Sequence, residues 1–75
     1  MIKYKINIME ELAARGYTAA RLRKEKILSE ATMQNIRQKK PFGLDTLNKI
    51  CIMLRCQPSD ILYIEITDDE KIAFF

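Results

Sequence analysis

Eight basic side chains crowd into residues 15–40: Arg15, Arg21, Arg23, Lys24, Lys26, Arg37, Lys39 and Lys40, opposed only by Glu25 and Glu30, a local net charge of +6. Residues 41–75 carry three basic and six acidic side chains, a net of −3, and the first fourteen residues balance at zero. The overall +3 therefore hides a chain with a positive middle and an acidic end, and such a concentration of charge attracts a polyanion. Lysines and arginines on solvated helix faces are the plainer source of the same pattern. Bond-making chemistry has no visible seat. The chain has no histidine, no activated cysteine arrangement, no glycine-rich phosphate loop and no convergent set of carboxylates. Asp68, Asp69 and Glu70 are consecutive and read as a solvated turn rather than an acid–base pair. No enzymatic activity, cofactor or metal site is expected.

The elements that must position these charges are short helices. One domain spanning 1–75 is the expected organisation, with a core over about 6–66 and a tail over 67–75, since a chain of 75 residues holds a single modest core. Ile2, Tyr4 and Ile6 alternate with Lys3 and Lys5, a period of two that predicts a short strand and fits an early helical turn as well. From Asn7 the pattern turns helical, with Ile8, Met9, Leu12 and Ala13 on one face, and Gly16 supplies a left-handed residue to end the helix. Thr18 caps a second helix over 19–26 built around Leu22. Ser29 caps a third over 30–38, which buries Met33 and Ile36. Leu44, Leu47, Ile50, Cys51 and Leu54 form the apolar stripe of a fourth. A short fifth turn lies around Ser59–Leu62, and Tyr63–Thr67 is β-branched and aromatic enough to be a strand. Two strands so placed can pair within one chain, or the C-terminal one can pair across a dimer.

Cys51 and Cys56 have no metal-ligand spacing, and Cys51 within an apolar stripe reads as a buried free thiol. That fits a reducing, cytoplasmic setting, and no apolar run is long enough for a signal peptide or membrane span. The tail ends in Ile72, Phe74 and Phe75, an apolar cluster that suits docking on a partner or on the domain's own surface; a frayed end is the other reading.

Five short helices with a two-helix unit at the second and third, carried by TAARLRKEK, LSEATMQNIRQKK and LDTLNKICIMLRCQPSDIL, resemble the lambda repressor and Cro-type helix-turn-helix family. LDTLNKIC followed by LRCQPSDIL is similar to its short, single-domain Xre-like members. The resemblance covers about residues 6–66. It implies an all-α, five-helix fold with short N- and C-terminal strands, and a double-stranded DNA partner read by a homodimer, usually as a repressor. In that family the third helix lies in the major groove. On this mapping Glu30, Ala31, Thr32, Gln34 and Asn35 face base edges: Asn35 or Gln34 suits adenine, Ala31 and the Thr32 methyl suit thymine, and Glu30 suits a cytosine amino group. Glu30 serves equally as a first-turn carboxylate on the helix dipole. Thr18, Arg37, Gln38, Lys39 and Lys40 are the expected phosphate contacts. Two positions depart from the family. Ile27 stands where the inter-helix turn usually has glycine, so either the turn takes another geometry or Ile27 serves the core. Arg23 replaces a small alanine, which requires its stem to lie over the core and its head to reach solvent. The rival reading is a protein-interaction module on the same fold, an antitoxin or antirepressor, engaging its partner through the C-terminal strand and tail.

Overall fold

A computed structural model describes all 75 residues. Helix α1 spans Ile8–Ala14, α2 Ala19–Lys24, α3 Glu30–Arg37, α4 Leu44–Leu54, α5 Pro58–Ile61 and α6 Asp68–Phe74, with strands β1 (Ile2–Tyr4) and β2 (Leu62–Ile64). The helical domain with short terminal strands is present, and it carries one helix more than the sequence pattern implies.

Local chemistry sets each helix start. Asn7, Thr18, Ser29 and Thr67 hold extended backbone, and their side-chain oxygens accept from the N–H of Glu10, Arg21, Thr32 and Glu70 respectively. Each bond satisfies one of the orphan amides of the first turn. The helix ends repeat one device. After α1, α2, α3 and α4 a residue with positive φ turns the chain back: Gly16 (+87°), Lys26 (+55°), Lys39 (+56°) and Arg55 (+53°). The next amide then reaches a carbonyl five residues upstream: Tyr17 to Leu12, Ile27 to Leu22, Lys40 to Asn35 and Cys56 to Cys51. This is the Schellman closure, and it favours an apolar residue just after the turn. Tyr17, Ile27 and Cys56 fill that place and pack against the core.

The core consists of Ile8, Leu12, Leu22, Leu28, Met33, Ile36, Ile50, Leu54 and Ile61, and no polar side chain is buried among them. Helix α1 lies across α3 and α4. β1 and β2 pair antiparallel within the chain, with Ile2 opposite Ile64, Lys3 opposite Tyr63 and Tyr4 opposite Leu62.

Several expectations need correction. The strand stops at Ile64 rather than Thr67, because β1 offers only three residues as partner and the Glu65 N–H bond to the Met1 carbonyl finishes the pairing. Asp68–Glu70 is the first turn of α6 and not a loop. Thr67 and Glu70 cap each other reciprocally, and the three acidic residues complement the helix dipole. The α4 stripe is wider than the core. Ile50 and Leu54 are buried, Leu47 and Cys51 are half-buried, and Leu44 is exposed. Cys51 is accordingly a half-buried groove thiol rather than a core one. Burial pushes its pKa up, with neighbouring Cys56 adding to the shift. At the turn after α2 the left-handed residue is Lys26, which leaves Ile27 free to pack on the core.

Candidate nucleic-acid interface

Two short helices, α2 and α3, are joined by a five-residue turn that Leu28 pins into the core. Lys49 of α4 braces this turn, its Nζ donating to the Ile27 carbonyl at 3.1 Å. Met33 and Ile36 fix which face of α3 turns inward. At 100° per residue the opposite face then presents Ala31, Gln34, Asn35 and Gln38. Ala31 and Gln34 are exposed, and Asn35 is half-buried at the edge of the stripe.

The remaining two candidates for base reading sit on the flanks. Thr32 is half-buried, and its hydroxyl accepts from Ser29 Oγ at 2.9 Å while its N–H is capped by the same atom at 3.1 Å. Its methyl and its hydroxyl proton are uncommitted. Glu30 is an ion-pair hub, 3.3 Å from Arg23 of α2 and 3.4 Å from Arg37 at the far end of α3. Arg23 thus reaches solvent as the sequence requires, where its guanidinium ties the two helices together. These side chains are about half exposed, so each pair contributes at most about 1 kcal/mol. Their larger effect is to restrain two arginines on the α2–α3 face and to offset one of their two charges.

The cations of this face that make no ion pair at all are lysines. Arg21 pairs with Glu25 and stacks over Tyr17, 4.6 Å from the ring centroid, whereas Lys24, Lys26, Lys39 and Lys40 make no ion pair. Gln38 caps the C-terminus of α3, and Lys39 and Lys40 follow it in the Schellman turn, both exposed. The Thr18 hydroxyl spends an acceptor site on the Arg21 amide at 3.2 Å and keeps its proton free to donate.

Tyr4 takes part in this site, although its place in β1 gives no hint of it. Its hydroxyl donates to the Lys40 carbonyl at 2.6 Å, and its ring meets Phe42 edge-on with centroids 5.9 Å apart. The strand thereby clamps the segment that follows α3. Partial burial raises the Tyr4 pKa, so the phenol stays protonated and able to donate. Only the tertiary pairing of β1 with β2 brings Tyr4 to residue 40. The i,i+7 spacing of Glu30 and Arg37 was visible in the sequence, but the approach of Arg23 was not.

No helix is long and apolar enough to cross a membrane, and no group of three or more metal-ligating side chains converges. No curated protein and no solved structure matches the chain significantly. A family model does: that of the Cro/C1-type helix-turn-helix DNA-binding domain matches residues 7–67, from the cap of α1 to the cap of α6. With α2 and α3 forming the two-helix unit and α3 presenting an exposed polar stripe, the chain belongs to the Cro/C1-type helix-turn-helix DNA-binding family.

Proposed function

We propose that this protein is a non-catalytic, sequence-specific transcriptional repressor acting in the cytoplasm, binding double-stranded DNA as a homodimer with α3 in the major groove. The observation that carries the reading is the polar stripe of exposed Ala31, Gln34 and Gln38 with half-buried Asn35 at its edge, and unpaired Lys39 and Lys40 immediately after it. Asn35 and Gln34 supply paired donor and acceptor groups for adenine, and Ala31 with the Thr32 methyl offers apolar contact for thymine. Glu30 acts mainly by restraining Arg23 and Arg37, with a cytosine contact as its secondary role. Thr18, Arg37, Gln38, Lys39 and Lys40 grip phosphates on either side. A single domain offers a small interface, so a twofold dimer on two half-sites supplies the specificity.

The test is selection of bound sequences from random duplexes, repeated across a range of salt. A two-half-site motif, with affinity falling by about 0.9 log units per log unit of salt for each neutralised phosphate, is the expected result. Lys40→Ala should weaken all sequences alike, whereas Asn35→Ala should relax discrimination at one base position. Identical behaviour of both variants on matched and mismatched sites refutes the groove assignment. The exposed apolar residues of α6 favour a second reading, an antitoxin or antirepressor whose C-terminal strand and helix cover another protein. Selection that returns no motif would support it.

A further inference from the structure

Two apolar surfaces lie outside the DNA face, and each lacks a cover. The first is a groove of about 570 Å³ along the outer side of α4, lined by Leu44, Leu47, Cys51 and Ile52 and closed by Cys56 and Pro58. Leu44 is 82% exposed and Ile52 65%, although both stand in a helix whose other face is core. Arg55 is the only charged residue in its lining. The second surface is α6, which has no buried residue and leaves Ile72 82%, Phe74 82% and Phe75 87% exposed.

We infer that α6 of one copy packs antiparallel along the α4 groove of a second copy, so that each subunit gives a helix and receives one. This rests on the dimeric reading above and names the surface that builds the dimer. Three observations fit the pair together. On α6, Asp68, Ile72 and Phe75 fall on one face at i, i+4 and i+7, with Asp69 beside them. On α4, Arg55 stands at the C-terminal end of a stripe that runs back through Ile52 and Asn48 to Leu44. Antiparallel helices therefore set Asp68 and Asp69 against Arg55 and carry Ile72 and Phe75 toward Leu44. The seven steps from Asp68 to Phe75 rise about 10 Å, within the roughly 16 Å from Arg55 to Leu44.

The charges agree. Glu70 is already engaged by the Met1 ammonium, 2.6 Å away, which leaves Asp68 and Asp69 as the free acids of the first turn, and Arg55 makes no ion pair of its own. The area agrees as well. A buried aromatic side chain removes about 150–250 Å² from water. Two reciprocal contacts, each setting Phe75 and Ile72 over Leu44 and Ile52, bring the buried area toward the roughly 1,000 Å² that a specific interface needs. A twofold axis makes the exchange self-complementary.

Sedimentation equilibrium of the full chain tests this with two variants. Ile72→Ser with Phe75→Ser removes the inserted face. Leu44→Glu with Ile52→Lys spoils the groove while placing each charge at the helix end whose dipole favours it. All four sites are exposed, and circular dichroism melts establish that both variants fold. The wild type is expected to be a dimer, and each variant should raise the dimer dissociation constant at least about 30-fold. Mixing the two variants should restore a heterodimer, because one intact helix then meets one intact groove. A wild-type dimer indifferent to both variants leaves the dimeric reading standing and overturns this surface. Two impaired variants that fail to complement each other overturn the pairing of α6 with α4. A wild type that is monomeric at about 0.1 mM overturns the dimeric reading and the surface together.

Discussion

Three basic residues, Lys26, Lys39 and Arg55, occupy the left-handed turn position that Gly16 fills after α1. An L-residue there costs roughly 1–2 kcal/mol. Glycine relieves that strain but gives back about 0.5–1 kcal/mol in extra freedom of the unfolded chain. The balance for Lys26→Gly, Lys39→Gly or Arg55→Gly is a gain of about 0.5–1 kcal/mol, which for a domain of this size raises Tm by about 2–8 °C. The three substitutions share one backbone effect and differ in function. Lys39→Gly deletes one proposed phosphate contact per subunit, two in the dimer, so the salt slope should fall by about 1.8 and affinity at 0.1 M salt by roughly 60-fold. Lys26→Gly removes charge from the field without a proposed contact and should leave the slope nearly unchanged. Arg55→Gly should leave the slope per bound subunit alone and weaken the dimer. Thermal melts and fluorescence-anisotropy titrations at four or more salt concentrations measure all three. A Lys39→Gly protein that is less stable would refute the strain argument. One that is more stable but keeps the full salt slope would refute the phosphate assignment.

Glu30→Gln should release Arg23 and Arg37 and raise non-specific DNA affinity up to about eightfold per freed arginine at 0.1 M salt, with a steeper salt slope. An unchanged slope with lost discrimination at one base pair would instead assign Glu30 to base reading. Ser29→Ala removes the α3 cap and should cost about 1 kcal/mol, seen as a lower denaturation midpoint, while Ser29→Asp keeps most of it. Glu70 is held at a pKa of about 2, chiefly by the Met1 ammonium and then by the Thr67 amide and hydroxyl. Because the folded value lies below the ordinary 4.5, its contribution is fully present above about pH 4.5 and is lost as pH falls toward 2. The Thr67 and Glu70 amide resonances should therefore move within that window in the wild type and not in Glu70→Gln, and the effect should shrink with salt.

The parts of the fold that sequence exposes are those with local causes. Thr18 and Ser29 cap their helices because a short hydroxyl beside an extended backbone reaches the amide three residues on. Gly16 turns left-handed because no Cβ forbids it. Met33 and Ile36 are buried because a spacing of three keeps them on one face. The rest depends on distance in space. Helical periodicity marks Leu44 as apolar but cannot say that the core ends at Leu47, so a surface groove reads as interior. Helix α6 did carry a local signal, the Thr67-x-x-Glu70 capping box, outweighed in a strand-and-acidic-turn reading by the alternation of Ile64 and Ile66. The assignment of α3 as the reading helix follows from the family resemblance. Its composition alone would suit any solvated helix. The restraint of Arg23 and Arg37 by Glu30 tempers that face in a way that a count of charges misses.

The small sheet joins the two proposed surfaces. At one end of β1, Tyr4 holds the Lys40 carbonyl beside the DNA face, and at the other the Met1 ammonium holds Glu65 and Glu70 at the base of α6. A ladder of three residues has little stability of its own, so its pairing depends on these end contacts as much as they depend on it. Tyr4→Phe should therefore loosen the phosphate-side turn first, since it deletes one hydrogen bond worth about 0.5–1.5 kcal/mol and keeps the Phe42 contact. A substitution that breaks the Ile2–Ile64 pairing, by contrast, must disturb both ends at once. The acidic start of α6 is thereby tethered at the opposite end of β1 from Lys39 and Lys40, and in the proposed dimer Asp68 and Asp69 meet Arg55 of a second copy.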